Sequence, residues 1–293
     1  MESILVIGAG FMGSGIAQVC AQAGYRVHLM DIDPVALEKA IASIKWSTEK
    51  LSTKGLLAES STTILDRIAP EDTLEGAARA QWVVEAALEV EELKRDIFQE
   101  LDRLAPADTP LASNTSSIPI TRIAQATQHP ERVLGLHFFG PVPLMGLVEV
   151  VKGEKTTGDV FNRGVYFVKS LGKTPVRVHR DIPCFVMNRI FAAAFREAVD
   201  LVDQGIVSPE DVDVGMKLGY GWNAGPFEIA DNAGLDTYVL IGKAMKALGE
   251  EGFISKSEFI ERMVAEGRLG RKVGKGFYRY TSEGKRVPWD RDD

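Results

Sequence analysis

Six residues, Gly8-Ala9-Gly10-Phe11-Met12-Gly13, constrain this chain more tightly than any others. They end an apolar run, Ser3-Ile4-Leu5-Val6-Ile7, that is too short for a helix, and residues 15–21 then continue with helical periodicity. Strand, glycine turn and helix together make the GxGxxG unit. Its first glycine allows a tight turn, its second lets a pyrophosphate approach the backbone, and its third lets the helix pack close to the strand. The helix N-terminus then meets an anion with unsatisfied N–H groups and the positive end of its dipole. Gly24 closes the helix, residues 25–30 read as a second strand, and Asp31 follows. A carboxylate roughly 20 residues past the glycines accepts hydrogen bonds from an adenosine ribose and repels a 2′-phosphate. Ile32-Asp33 comes next rather than an arginine, which favours NAD over NADP. FAD is the nearer rival, and a ligand-free glycine turn is the plain alternative.

The alternation continues. Residues 34–57 carry Leu37, Ala40, Ile41 and Ile44 at helical spacing and end in a basic stretch with Lys50 and Lys54, either a solvated helix end or a contact for a ligand phosphate. Residues 61–64 and 68–69 suggest a short hairpin. Residues 81–86 read as a buried strand, 91–104 as a helix with Leu93, Ile97, Phe98 and Leu101 on one face, and 111–114 as another strand. That strand stops at Thr115-Ser116-Ser117, with Pro119 just inside the next helix and Ser116 or Ser117 available as its N-cap. Strands alternating with helices at this spacing predict an α/β fold, a Rossmann-type doubly wound parallel sheet. Ligands in such sheets lie beyond the carboxyl ends of the strands, the edge where Asn114 and Ser116 fall. Two further apolar strands, 133–139 and 147–151, carry His137 and Glu149. A buried glutamate is costly without a partner, and pairing it with the imidazole satisfies both groups. The carboxylate then fixes one ring nitrogen and raises the basicity of the other, which is how a general base is assembled; a satisfied core histidine is the plain alternative, and the dinucleotide unit and the Asn114/Ser116 edge favour the base.

The character changes after Asp181-Ile182-Pro183, dividing the chain into a dinucleotide-binding domain, 1–181, and an all-helical C-terminal domain, 182–293. A helix over 185–203 carries a broad apolar stripe, with Ile190, Phe191, Phe195, Val199 and Val202, suited to burial against another subunit. Asn188 interrupts it near its start. Ser208-Pro209 and Gly225-Pro226 open further helices, another runs to Leu248, one covers 259–266, and 276–280 forms a short terminal strand. With 293 residues and a net charge of −7, the chain has room for two cores and no basic bias toward nucleic acid. Cys20 and Cys184 show no metal spacing, so no metal site is expected. The N-terminus lacks a secretory pattern and no run is long enough to span a bilayer, so no membrane partner and a cytoplasmic location are expected.

GAGFMGSG (8–15), NTSS (114–117), HFFGPVP (137–143), LVEV (147–150), Asn188-Arg189, Met216-Lys217-Leu218-Gly219 and GRKVGKGFY (270–278) occur in this order. The chain thereby resembles the L-3-hydroxyacyl-CoA dehydrogenase family, especially its single-function bacterial members, over nearly its full length. The resemblance implies NAD-dependent, reversible oxidation of an (S)-3-hydroxyacyl-CoA, an enzyme of fatty-acid metabolism. It makes His137 the base and Glu149 its partner, and gives Ser116 and Asn188 the substrate oxygens. NAD contacts would come from the turn (Gly8, Gly10, Phe11, Met12, Gly13) and from Asp31, Glu89, Lys94, Asn114 and Ser116, with Lys272 a further candidate. Lys54 would contact a CoA phosphate, and the helical domain would form a homodimer. Three positions depart from the family pattern: Gly140 for a usual asparagine, Gly146 for a lysine and Cys184 for a glycine. The expectation is that Gly140 and Gly146 widen the pocket mouth for an acyl group bulkier or more polar than butyryl. The alternatives are a relative acting on a free acid, such as gulonate or carnitine, and a crystallin-like protein without activity.

Overall fold

The N-terminal apolar run forms β1 (Ser3–Ile7), followed by α1 (Phe11–Gln22), β2 (Arg26–Met30) and α2 (Pro34–Thr53) in the computed structural model, which describes residues 2–250, 252–253, 255 and 257–287. The chain separates into two units, Met1–Phe185 and Val186–Asp293. The first continues with α3 (Ser61–Leu65), β3 (Ile68–Glu71), β4 (Trp82–Glu85), α4 (Glu91–Leu104), β5 (Leu111–Ser113) and α5 (Ile120–Ala124). It ends with β6 (Val133–Phe138), β7 (Leu147–Val151), α6 (Gly158–Ser170) and β8 (Thr174–Val178). The eight strands form one sheet in the order β3-β2-β1-β4-β5-β6-β7-β8. Ile4, Val6, Val27, Leu29 and Val84 of the sheet pack with Ile16, Val19, Leu37, Ile44 and Val165 of the helices in one apolar core.

Three local expectations are corrected. The sheet is not parallel throughout, because β7 runs antiparallel to β6, and β8 is parallel to β7. Eight residues, 139–146, join β6 to β7, whereas a parallel crossover needs about a dozen or more, so the chain can only turn back. The hairpin expected at 61–69 is absent. Its β-branched residues lie in α3, where the Ser60 hydroxyl caps Thr63 N at 3.1 Å and Ser61 Oγ meets Thr48 Oγ1 at 2.5 Å. Only β3 is a strand, parallel to β2 with Ile68 opposite Val27. Pro119 is the N-cap of α5 rather than its first residue, and neither Ser116 nor Ser117 caps that helix. Both serines bond elsewhere.

The second unit contains α7 (Met187–Asp203), α8 (Pro209–Tyr220), α9 (Pro226–Ala233), α10 (Leu235–Ala247) and α11 (Phe259–Ala265), with an antiparallel ribbon of β9 (Arg279–Tyr280) and β10 (Arg286–Val287). Helix α7 begins two residues later than its apolar pattern suggests. Cys184 and Phe185, just before the unit, adopt left-handed backbone with φ of 60° and 50°, which no helix continues through. Phe195, Phe227, Leu235, Ile260, Met263 and Phe277 form the core. Within it, Asp213 accepts from Phe227 N (2.9 Å), Glu228 N (3.0 Å) and the Tyr278 hydroxyl (2.7 Å). Asp231 accepts from Phe277 N (2.8 Å), Tyr278 N (2.9 Å) and the Tyr280 hydroxyl (2.9 Å). A side chain at Gly276 would collide with the Asp231 carboxylate. The glycines and aromatics of the GKGFY stretch therefore serve to fold the chain end onto buried acids. Among the described residues, no helix is long and apolar enough to cross a membrane.

Candidate active site

Strand β1 lies between β2 and β4, so the chain leaves its carboxyl end toward one side of the sheet and later returns on the other. The crevice at such a reversal is where open α/β sheets bind ligands, and the glycine turn sits there. Gly8 has φ of 94°, and a Cβ on it would lie 2.5 Å from the Ala86 carbonyl oxygen. A Cβ on Gly13 would run into the Gly8 carbonyl, whereas one on Gly10 would meet nothing within 4 Å. Close packing and open approach thus alternate as a pyrophosphate cradle requires. No side chain caps α1 and no acid lies in its first turn, which leaves its N-terminal field to an anion. At the end of β2, Asp31 Oδ2 accepts from Ala9 N at 2.7 Å and Oδ1 from Asp33 N at 3.0 Å, tying this carboxylate to the turn. These residues fit a dinucleotide.

Glu89 organises the loop after β5. Its Oε1 accepts from Thr115 Oγ1 (2.6 Å), Ser116 N (3.0 Å), Ser117 N (3.0 Å) and Ser117 Oγ (2.9 Å). Burial alone would raise this carboxyl, but the Lys94 ammonium and the donors of Thr115, Ser117 and Ser116 outweigh it and hold it below the usual carboxylate range. Lys94 is buried at 1% exposure, with Nζ 2.6 Å from Glu85 Oε1 and 3.4 Å from Glu89 Oε2. In this arrangement its charge is given to the two glutamates. Glu85, which the sequence reading passed over, also accepts from Ser113 Oγ (2.6 Å) and Ala87 N (2.7 Å). The signal was present, since an acid inside an apolar strand demands a partner as much here as at Glu149. Asn114 uses Oδ1 to accept from Phe138 N at 2.9 Å, joining the carboxyl end of β5 to that of β6.

His137 and Glu149 are directly opposite each other in the β6–β7 ladder. His137 Nδ1 lies 2.7 Å from Glu149 Oε2, with the two side chains 7% and 0% exposed. A carboxylate can only accept, so a hydrogen bond at that distance takes its proton from Nδ1 and leaves Nε2 as the ring nitrogen outside the pair. Phe139 and Phe185 enclose the imidazole, their ring centroids 4.5 and 5.6 Å away. The imidazole is thus buried and oriented by the carboxylate.

Lys54 caps the end of α2 and lines a cleft of ≈ 360 Å³ with Phe11, Trp46, Lys50 and residues 141–144. Trp46 is 61% exposed, and Lys50 Nζ stands 4.5 Å from its ring centroid. Periodicity gave no warning of this lip, because an exposed tryptophan on a helix reads like any other surface residue. Gly140 does not open a void, contrary to expectation. A Cβ there would come within 2.6 Å of Phe11 Cε1, so the Phe11 ring fills the space. A Cβ at Gly146 would meet nothing within 4 Å. Asn188, in the first turn of α7, and Lys272, whose Nζ lies 2.6 Å from both Asp236 oxygens, belong to the second unit. Both cysteines are buried.

Comparison with known proteins adds independent findings. The family model for the 3-hydroxyacyl-CoA dehydrogenase NAD binding domain matches residues 3–182, and that for the C-terminal domain of the same enzymes matches residues 185–280. The chain is 40% identical over 289 residues to 3-hydroxybutyryl-CoA dehydrogenase of Bradyrhizobium diazoefficiens, covering 98% of each. Among solved structures it is similar to (S)-3-hydroxybutyryl-CoA dehydrogenase PaaH1 from Ralstonia eutropha, with a TM-score of 0.90 and 37% identity, covering 96% of this chain and 100% of that one. M. tuberculosis FadB2 gives a TM-score of 0.90 and 38% identity, covering 96% and 99%.

Proposed function

The chain belongs to the 3-hydroxyacyl-CoA dehydrogenase family, and on that premise we propose that it converts an (S)-3-hydroxyacyl-CoA reversibly to the 3-ketoacyl-CoA with NAD. The observation that carries the reading is the imidazole of His137, buried near the end of β6 with Nδ1 2.7 Å from the Glu149 carboxylate directly opposite it. Nε2 takes the proton of the substrate's 3-hydroxyl. The Glu149 carboxylate then stabilises the imidazolium through Nδ1–H, and the reverse reaction returns the proton along the same path. NAD, when bound, supplies the acceptor for the hydride that leaves C3. The turn residues Gly8, Gly10, Phe11, Met12 and Gly13 would hold its pyrophosphate and Asp31 its adenosine ribose. Glu89, Lys94, Asn114 and Ser116 would shape the nicotinamide side, and Lys272 is a further candidate.

Ser116 and Asn188 would bind the hydroxyl and thioester oxygens. Lys54, with Lys50 beside it, gives the cleft the positive charge that a CoA phosphate requires, which supports a CoA thioester over a free hydroxy acid. Exposed apolar residues on the second unit, Ile190 (57%), Leu218 (84%), Tyr220 (79%) and Leu240 (65%), support a homodimer formed through the helical domain. A cytoplasmic location belongs to the same reading.

The test is absorbance of NADH with straight-chain, branched, cyclic and dicarboxylic 3-hydroxyacyl-CoAs, with gulonate and carnitine as free-acid controls, and with NADP in place of NAD. Turnover confined to CoA thioesters and NAD is expected. Turnover of a free acid alone would replace the substrate class, and no turnover of any compound would favour the non-enzymatic alternative. A clear optimum at butyryl would remove the idea that Gly146 enlarges the mouth.

A further inference from the structure

The connection 139–146 does three things within the first unit. It leaves the strand that carries His137, and it packs Val142 so close to α1 that a Cβ on Gly15 would lie 2.8 Å from Val142 Cβ. Its residues 141–144 also wall the cleft that holds Lys54. Its own backbone bonds are few: Leu144 N and Met145 N share the Pro141 carbonyl at 2.9 and 3.1 Å, and Gly146 O accepts from Thr174 N at 2.7 Å. Among the described residues, one side chain adds hydrogen bonds to its backbone. Lys173, just before β8, is 9% exposed and places Nζ 2.7 Å from Val142 O and 2.6 Å from Met145 O. Among the described residues it pairs with no carboxylate. A cation buried against neutral dipoles alone is an expensive arrangement.

We propose that Lys173 is a positioning residue for the acyl-CoA site, its ammonium gathering the Val142 and Met145 carbonyls so that the connection stands as the wall of the cleft. This rests on the CoA-thioester reading above. The residue touches neither the base nor the nucleotide turn, so it acts through the wall and on substrate affinity. Burial holds its ammonium below the ordinary lysine range. The titratable group facing it is the Cys20 thiol on α1, which burial keeps protonated far above the usual thiol range despite the nearby lysine. The connection faces it with carbonyl oxygens only. As pH rises through the Lys173 value, the cation is lost, both charge-assisted bonds weaken, and the wall loosens.

Steady-state kinetics of wild type, Lys173→Met and Lys173→Gln, with acyl-CoA and NAD varied separately from about pH 7 to about pH 10, test this. At the lower end Lys173→Met should raise the acyl-CoA KM about tenfold, the scale of one lost charged hydrogen bond, with kcat and NAD affinity near wild type. The wild-type acyl-CoA KM should climb on the alkaline side, and the part of that climb due to Lys173 should be missing from both variants, which keep Lys50 and Lys54. A wild-type acyl-CoA KM in Lys173→Met, or an equal rise in the NAD KM, would overturn the proposal. If neither variant folds, the alkaline climb is measured in a Lys50→Gln, Lys54→Gln background, where a flat acyl-CoA profile would overturn it. Failure of the functional reading looks different, since wild type would then form no NADH with any acyl-CoA.

Discussion

Glu149 and Glu85 lie in strands of the first unit with no exposed surface, and each faces a side chain that can carry positive charge, His137 and Lys94. Asp213 and Asp231 of the second unit are equally buried, but they face backbone N–H groups and tyrosine hydroxyls. The desolvation cost is of one kind in both units, and the return differs. A carboxylate against an imidazole makes a proton acceptor whose orientation is set, because the partner can change its charge. A carboxylate against amide N–H groups makes a brace, because those donors cannot. In the first unit the Glu149 carboxylate orients an imidazole, and in the second the buried acids hold α9 and residues 277–280 in place.

The sharpest way to break this contrast is His137→Gln. Loss of turnover by ~10²–10⁴-fold, the usual worth of a general base, is expected with NAD binding and melting temperature preserved. Near-full turnover would show that the pair is a brace like the others. Next, Lys94→Met leaves Glu85 buried without its cation and should cost about 3–5 kcal/mol in urea unfolding. Asp213→Ala should cost about 2–4 kcal/mol by orphaning Phe227 N and Glu228 N and leaving the Tyr278 hydroxyl only its longer bond to Pro209 O, while kcat per folded molecule stays unchanged.

The pH dependence of these costs should run in opposite directions. Burial raises the Asp213 carboxyl despite its donors, so the folded state binds that proton more tightly than the unfolded chain does. Stability from this group is therefore greatest below the unfolded carboxyl value, ~3.9, and declines as pH rises through the folded value. Glu89 is held low, so its contribution is present above the unfolded value and is lost as pH falls through the folded one. Unfolding free energies should thus show the gap between wild type and Asp213→Ala narrowing as pH rises, and that between wild type and Glu89→Gln widening. The smallest effect is at Cys184. Glycine there relieves a left-handed backbone worth ~1 kcal/mol or more but removes a buried side chain, so Cys184→Gly should change stability by no more than about 1 kcal/mol.

Much of the first unit was legible because its signals are short-range. The glycine turn carries its own steric logic, and the cost of burying Glu149 in an apolar strand points to a polar neighbour before any fold is known. The same logic applied to Glu85 demands a partner, which the structure supplies in Lys94. What escaped was set by tertiary context. The Thr62-Thr63-Ile64 run favours a strand by propensity but sits in a helix because Ser60 caps it and Thr48 meets it. Phe11 filling the space beside Gly140 is a packing choice between residues far apart in sequence. Lys173 resembled any lysine after a helix, since no pattern marks the two carbonyls that it meets.

The reversal of β7 has a consequence for how the molecule tolerates change. Because His137 and Glu149 stand opposite one another across a hairpin, they form a cassette within a short span of chain, assembled by local contacts rather than by closing a long loop. That economy also makes it brittle. If a residue inserted between the two strands were absorbed as a single-step slip of the ladder, Glu149 would turn to the far face of the sheet, and the imidazole would lose its counter-charge with most of the fold still intact.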